Sequence, residues 1–475
     1  MWRDESVTHQ VAHRSLADLW QMLAHIDAVH GLYYLCMHAV FGAWDGGLLA
    51  LRLPSTVGAA LAAAGVGAIG TRLAGRRAGL LAGLVLAFLP HMQRYAQEGR
   101  SYALVCAAVT WATYCLVRAM GPRCTALRGE GGHRRRWWAA YTALLSLACW
   151  LHVFAALAVV AHGLTLGWLR APRGVWLRWG KAAAAVLTSL LPLVLVSAGQ
   201  AERQLGWLAQ PGADTWLQFL ALTVAALLLS WACRTRADGR DTGHASPDTQ
   251  RTTLMKLALP LLLAPFALLL TASFLRPWFV ERYVLYAMAG LALLTGAALD
   301  RALAHRHRLA PVARVLAPAL SAAVAVAVLL PWSMYLRSPD SRKDNTVAVA
   351  QVVRDHARPG DGVLFLPARR REWLLSTPAV YQALDDLALA RNPAASATLQ
   401  GTELPDDAIR RRIRAADRII ALTDPPEQPL NTTAQETAKR ETLARYFHAC
   451  RSSQVRGAEI TVYTRSGQCA PASGR

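Results

Sequence analysis

Between residues 49 and 331 apolar windows follow one another almost without interruption, each of the roughly 20 residues needed to cross ~30 Å of bilayer hydrocarbon. In lipid every backbone polar group must be satisfied within its own segment, which leaves helices as the fold for such windows. The pattern therefore predicts a polytopic α-helical membrane protein of about ten transmembrane helices, near 49–70, 78–95, 101–118, 137–151, 153–169, 182–199, 214–233, 254–275, 283–300 and 312–331. The stretch 137–169 is long enough for one helix or two short ones. Arg134, Arg135 and Arg136 precede it and Arg170 and Arg173 follow it. Both ends thus favour the same side of the membrane, and the reading is a hairpin with His152 at its tip.

Basic residues orient the spans. Loops 71–77, 118–136, 170–181, 234–256 and 301–314 hold 22 Lys and Arg, and the alternate loops 91–100, 150–153, 200–213 and 276–283 hold five. The richer set belongs in the cytoplasm, so residues 1–48 and everything after 332 are expected outside it. The net charge of +21 is thereby explained by topology, and nucleic acid is not an expected partner. The exceptions on the outer side are Arg94, Arg100, Arg203, Arg276 and Arg282, with Arg52 near the outer end of the first span. Guanidinium groups gathered on one face suit an anionic headgroup, because the planar fork binds phosphate bidentately. A single such arginine is as readily an interfacial snorkelling residue.

Two regions do not span. Residues 1–48 carry stripes at helical spacing, Leu16, Leu19, Trp20 and Leu23, then Tyr33, Tyr34, Met37 and Phe41, which suit either interfacial helices or a packed core. Residues 338–475 alternate helix and strand signals: a helix over 344–358, a turn at Pro359-Gly360-Asp361, strands at 363–366, 418–422 and 460–463, and a helix over 406–416. That alternation predicts a soluble α/β accessory domain. The eight cysteines show no metal-ligand spacing. Cys450 and Cys469 in the tail suit a disulfide in an oxidising compartment.

Five motifs concentrate chemistry on the outer side. Trp2-Arg3-Asp4-Glu5 opens the chain with an acidic pair, and a carboxylate there could deprotonate an acceptor hydroxyl. Asp27, His30, Tyr33 and Tyr34 follow, an acid, an imidazole and two rings suited to a polar, stackable substrate; on a helix Asp27, His30 and Tyr34 would share a face. Arg52-Leu53-Pro54-Ser55 lies at the mouth of the first span, where proline interrupts the backbone ladder. Gln97-Glu98-Gly99-Arg100-Ser101-Tyr102 joins the second and third spans, and Glu281-Arg282-Tyr283 enters the ninth.

In that order these motifs resemble the polyprenyl-phosphate-dependent glycosyltransferases of the GT-C superfamily. The likeness is narrowest to the bacterial branch related to protein O-mannosyltransferases and the lipid A aminoarabinose transferase, and it covers residues 1–335. The resemblance implies that Asp4, with Glu5 beside it, is the acidic residue of the first outer loop that is catalytic, and that Arg52, Arg100 and Arg282 sit near a lipid-phosphate pocket. It implies transfer with inversion from a polyprenyl-phosphate sugar, mannose being favoured by analogy alone, to a glycan, lipid or protein acceptor. Asp27, His30, Tyr33, Tyr34, Gln97, Glu98, Tyr102 and Tyr283 are the further substrate-binding candidates. No metal or other cofactor is obligatory, with a divalent cation at the acidic pair as an option. The domain plan is a catalytic loop at 1–48, a transmembrane domain at 49–335 and the α/β domain at 338–475. The family has a membrane helix before its first outer loop; here Met1 directly precedes the motif, so a start further upstream is expected.

An Ala- and Arg-rich, Lys-poor composition suggests a high-GC bacterium, which places the chain in the plasma membrane with its active site and tail extracytoplasmic. A transporter or flippase of polyprenyl-linked sugars would use the same arginines without a base, although no internal repeat of the kind found in transporters is evident. A sensor using the spans only as an anchor would not need ten of them.

Overall fold

The computed structural model describes residues 1–121, 131–200, 209–234, 247–305, 311–425, 428, 430–465 and 469. It divides into two units, one made of Met1–Asp27, Tyr34–Leu51 and Tyr335–Arg475, the other of Ala28–Tyr33 and Arg52–Met334.

The second unit is helical. Among the described residues, six helices are long and apolar enough to cross a membrane: Gly47–Ala74, Tyr102–Met120, Arg173–Ala198, Ala213–Cys233, Gln250–Ala272 and Glu281–Ala304. Of the four remaining expected spans, those within 78–95 and 137–169 meet helices that are shorter, interrupted or charged, and 312–331 coincides with the helix Pro311–Arg337, so the count of ten is not established. The expected span at 78–95 is two helices, Arg76–Phe88 and Pro90–Ala96, broken where Pro90 follows an extended Leu89. The stretch 137–169 is likewise two helices, Gly131–Leu151 and Leu157–Trp168, with His152 extended between them. At Pro54 the expectation fails: the helix Gly47–Ala74 runs through it.

Small residues set the helix spacing. A Cβ on Gly296 would come within 2.5 Å of the Ala82 backbone nitrogen, and one on Gly290 within 2.4 Å of the Ala258 carbonyl oxygen. These glycines allow the close backbone approach that drives packing where lipid supplies no hydrophobic force. Asp300, 6% exposed, is a paired buried acid of this unit, accepting from Arg77 Nε at 2.6 Å and Arg251 Nη2 at 2.9 Å. His162 is a core histidine, bonded to Thr113 and Tyr141.

The first unit begins with α1 (Arg3–Ala12), α2 (Leu16–His25) and α3 (Gly31–Ala43, in this unit from Tyr34 onward). Ser15 caps α2 by accepting the Asp18 amide. Val7, Val11, Leu19, Met22 and Tyr34 form their common core. Tyr34, Met37 and Phe41 are therefore core residues, whereas Leu16 and Trp20 point outward at 57% and 70% exposure.

The tail supplies a five-stranded sheet, β2-β1-β5-β7-β6, built from β1 (Gly362–Leu366), β2 (Asp385–Asp386), β5 (Arg418–Thr423), β6 (His448–Val455) and β7 (Ala458–Thr464). β1 runs parallel to β2 and β5, and β7 runs antiparallel to β5 and β6. A separate ribbon pairs β3 (Leu389–Arg391) with β4 (Thr402–Glu403). Every residue of β1 is buried, because side chains pack on both faces of the sheet. The expected helices appear at Thr346–His356 and Asp406–Ala415. β6 and the helix Ala434–Tyr446 are additions to the expected pattern. Gly457, at φ +86°, takes the left-handed conformation that the β6–β7 turn requires. Cys450 and Cys469 form a disulfide.

Candidate active site

In the second unit the motifs spaced widely along the sequence meet at helix ends. Ser55 Oγ donates to the Arg100 carbonyl at 2.8 Å, and Thr56 Oγ1 to that of Ala96 at 2.9 Å. Ser101 Oγ donates to the Leu151 carbonyl at 3.0 Å. These hydroxyls tie the loop carrying Gln97, Glu98 and Arg100 to the N-terminal half of the helix Gly47–Ala74 and to the end of Gly131–Leu151. The Arg100 amide closes the loop on the Glu98 carbonyl at 2.7 Å. Glu98 and Arg100 are buried and Arg52 is half-buried. Gln97 turns back onto the Gln93 carbonyl at 3.0 Å.

Arg282 is the best-defined cation of this group. Its Nε donates to Tyr102 Oη at 3.1 Å, and its guanidinium lies 5.7 Å from the Tyr102 ring centroid and 5.8 Å from that of Tyr283. Both contacts favour charge held over a π face. His152 packs 5.6 Å from Tyr102, 4.6 Å from Tyr283 and 6.3 Å from His30, while Phe154 stacks on Tyr283 at 5.3 Å. Burial lowers the His152 pKa well below its usual value, and the charges of His30, Arg282 and Arg100 push it the same way. The positive charges of Arg282 and Arg100 thus act together on His152 and disfavour a further cation at that ring. Beside this group Tyr95 Oη donates to Glu281 at 3.2 Å, and His91 Nε2 lies 3.6 Å from the same carboxylate. Arg276 is exposed and Arg94 half-buried; Arg203 lies outside the described residues.

In the first unit Asp4 is half-buried on the first turn of α1. Glu5 is fully buried, and one of its oxygens accepts the Trp2 amide at 3.3 Å, which makes it a cap of its own helix. Asp27 does not share a helix face with its neighbours; it has φ +64°, and His30 follows in a short 3₁₀ turn. Tyr34 Oη nevertheless reaches Asp27 Oδ2 at 2.5 Å.

Two acids of the tail join α1. The Arg3 amide donates to Asp344 Oδ1 at 2.7 Å, and Arg3 Nε donates to Glu372 Oε2 at 2.9 Å. Ser6 Oγ donates to the Glu372 carbonyl at 2.6 Å. Burial raises the Glu372 pKa against the pull of Arg3, with Asp27 and Asp4 raising it further. Burial also pushes Asp344 up to about 6, and Glu372 raises the pKa of Arg3. Asp4, Asp344 and Glu372 thus form one electrostatic group around Arg3, and Asp27 joins it through Glu372. Nothing local in the sequence marks Asp344 or Glu372, because both lie in a tail whose pattern reads as an accessory fold.

The sequence candidates therefore fall into two sets. Asp4, Glu5, Asp27 and Tyr34 belong to the first unit; His30, Tyr33, Arg52, Gln97, Glu98, Arg100, Tyr102, Arg282 and Tyr283 belong to the second. His152, which the sequence places at a hairpin tip without a role, is at the centre of the aromatic group.

No protein-family model matches the chain, and no curated protein matches it. Its structure is similar to the crystal structure of ArnT from Cupriavidus metallidurans in the apo state, with a TM-score of 0.59 and 15% identity over 91% of this chain and 87% of that one. It is also similar to the crystal structure of the same protein bound to undecaprenyl phosphate, with a TM-score of 0.53 and 14% identity over 90% and 87% of the two chains. The chain has the GT-C fold that its motifs resemble.

Proposed function

We propose that the chain is an integral membrane glycosyltransferase that moves a sugar from a polyprenyl-phosphate donor to an acceptor hydroxyl at the outer face of a bacterial plasma membrane. The observation that carries this reading is Arg282, bonded to Tyr102 and within 5.8 Å of the Tyr283 ring centroid, whose charge acts on His152 together with that of the buried Arg100. That arrangement suits a lipid phosphate, and it occurs on the fold of a protein whose crystal structure holds undecaprenyl phosphate.

In the proposed reaction Asp4 takes the proton of the acceptor hydroxyl as its oxygen attacks the anomeric carbon. The bond from that carbon to the phosphate oxygen breaks with inversion, and the electron pair leaves on the polyprenyl phosphate. Arg52, Arg100 and Arg282 hold the negative charge on the leaving group. Asp27, His30, Tyr33, Tyr34, Gln97, Glu98, Tyr102 and Tyr283 bind and orient the sugar and acceptor. Arginines suffice to neutralise the leaving group, so the scheme needs no obligatory cofactor; a divalent cation at Asp4 and Glu5 is the variant of it that the acidic pair allows. Mannose is the favoured sugar, and the acceptor is a glycan, lipid or protein of the envelope.

The test is transfer of radiolabel from polyprenyl-phosphate-mannose, and from a pentose counterpart, in membranes carrying the protein. Label should reach an acceptor and be lost by at least about 100-fold in Asp4→Asn, the range for removing a general base. Transfer at the unmodified rate in that variant refutes the assignment of Asp4. Tight binding of the lipid phosphate with no transfer of any sugar would favour the flippase reading.

A further inference from the structure

α1 carries His9, His13 caps its C-terminus one turn later, and the loop after α3 carries Asp45. One ligand atom from each lies within 4.8 Å of the others. The imidazoles are side by side with centroids 4.4 Å apart and an interplanar angle of 35°, and the Phe41 ring packs against both, at 5.2 Å and 4.6 Å. The Nδ1 of His13 lies 2.7 Å from the His9 backbone carbonyl. A proton there leaves Nε2 as the lone-pair nitrogen, and that atom faces Asp45 Oδ2 at 3.7 Å. A backbone carbonyl on the far nitrogen is the arrangement that fixes the tautomer of a metal-binding histidine.

We propose that His9, His13 and Asp45 form a binding site for a first-row divalent cation of the zinc class. Two imidazoles and a carboxylate are a donor set that zinc accepts, with bonds of about 2.0–2.2 Å and water in the remaining position. The edge of such a tetrahedron is about 3.3 Å for bonds of that length. The 3.7 Å separation of His13 and Asp45 therefore needs only small rotamer shifts. His13 and Asp45 are exposed, so the cation has an entry path and solvent supplies the open position. Nitrogen-rich ligation selects zinc, cobalt or nickel over magnesium and calcium. The cation would clamp the C-terminal turn of α1, two turns beyond Asp4, to the loop that leads out of α3. The site stands whether or not the glycosyltransferase reading is right.

The test is zinc binding to the purified, tag-free full chain in detergent, read by competition with a chromophoric chelator and by the visible spectrum of the cobalt form. One equivalent should bind, and cobalt should give the intense absorption of a low-coordinate site. His13→Gln and Asp45→Asn alter exposed side chains and should keep the thermal midpoint of the unmodified protein. Each should weaken binding by at least about 100-fold, beyond the loss typical of an outer partner alone. His9→Gln should do the same. Zinc should also slow hydrogen exchange in residues 9–13 and 44–46 of the unmodified protein but not of Asp45→Asn. Binding that is weak and unsaturable, or unchanged in all three variants, would overturn the proposal and leave His13 and Asp45 as a surface ion pair.

Discussion

Replacing Arg282 tests the lipid-phosphate assignment most directly, because its surroundings allow the loss to be graded. A guanidinium held on a phosphate makes charge-assisted hydrogen bonds of about 1.5–3 kcal/mol each. Arg282→Ala removes them together, and a net loss of about 3 kcal/mol corresponds to roughly 100-fold weaker binding. Arg282→Lys keeps the charge but not the planar fork, and should cost about tenfold. Tyr102→Phe leaves the ring under the guanidinium and deletes only the hydroxyl that accepts from Nε at 3.1 Å. A lost hydrogen bond of about 1 kcal/mol predicts a fivefold effect. The assay is equilibrium binding of undecaprenyl phosphate to the purified protein, with undecaprenol as the uncharged control. The three variants should rank in that order for the phosphate and not differ for the alcohol. Equal binding of the phosphate by Arg282→Ala and the unmodified protein would refute the reasoning. So would an equal loss for phosphate and alcohol, which would make Arg282 a packing residue.

Two further expectations concern the tail. The Asp344 carboxyl, ordinarily near 3.8, is raised to about 6 in the folded protein by burial; the folded state therefore holds this proton more firmly than the unfolded chain does. The contribution to stability is complete below about pH 4 and lost as pH rises through 6, by at most about 3 kcal/mol. Asp344→Asn should flatten the thermal midpoint over that window, and parallel pH profiles for the two proteins would exclude the effect. Lys439 is fully buried and donates to the Phe365 carbonyl and to Glu403 at 2.8 Å, and to Glu436 at 2.9 Å. Lys439→Met leaves the buried Glu436 carboxylate without its charge partner, while Glu403 keeps Arg371 at 2.9 Å, and should cost about 3 kcal/mol, seen as faster hydrogen exchange across β1 and β5. Unchanged protection there would show that the network does not hold the sheet.

The membrane helices were legible because an apolar period of bilayer length has few other solutions. Their boundaries were less so: Pro90 splits one expected span, whereas Pro54, deeper in a long helix, does not. The juxtaposition of Arg52-Leu53-Pro54-Ser55 with the loop of Arg100 was implied only by their shared side of the membrane; the Ser55–Arg100 bond makes it specific. Asp27 shows the reverse case. Spacing puts Asp27 on one face with His30 and Tyr34 only if the segment is helical; its backbone is left-handed, and Tyr34 reaches it by hydrogen bonding instead. The role of His152 was illegible because a lone histidine at a tip gives no sign of rings contributed from residues 102, 154 and 283.

The pairing of the chain's beginning with its end was the least accessible feature, and physically it matters most for Asp4. The carbonyl of Met1 accepts from the Thr346 amide and hydroxyl, Gln10 donates to the Leu399 carbonyl, and Arg14 to that of Thr398. With Arg3 on Asp344 and Glu372, these bonds hold both ends of α1 on the tail. Contacts separated by more than 340 residues leave no local periodicity to read. Yet they decide the electrostatic surroundings of the first turn, where the proposed base lies among acids contributed by the tail. A carboxylate meant to take a proton depends on such neighbours for its orientation and its affinity. The tail therefore contributes to the chemistry proposed for Asp4 through Asp344 and Glu372, even though it supplies no group assigned to touch the substrate.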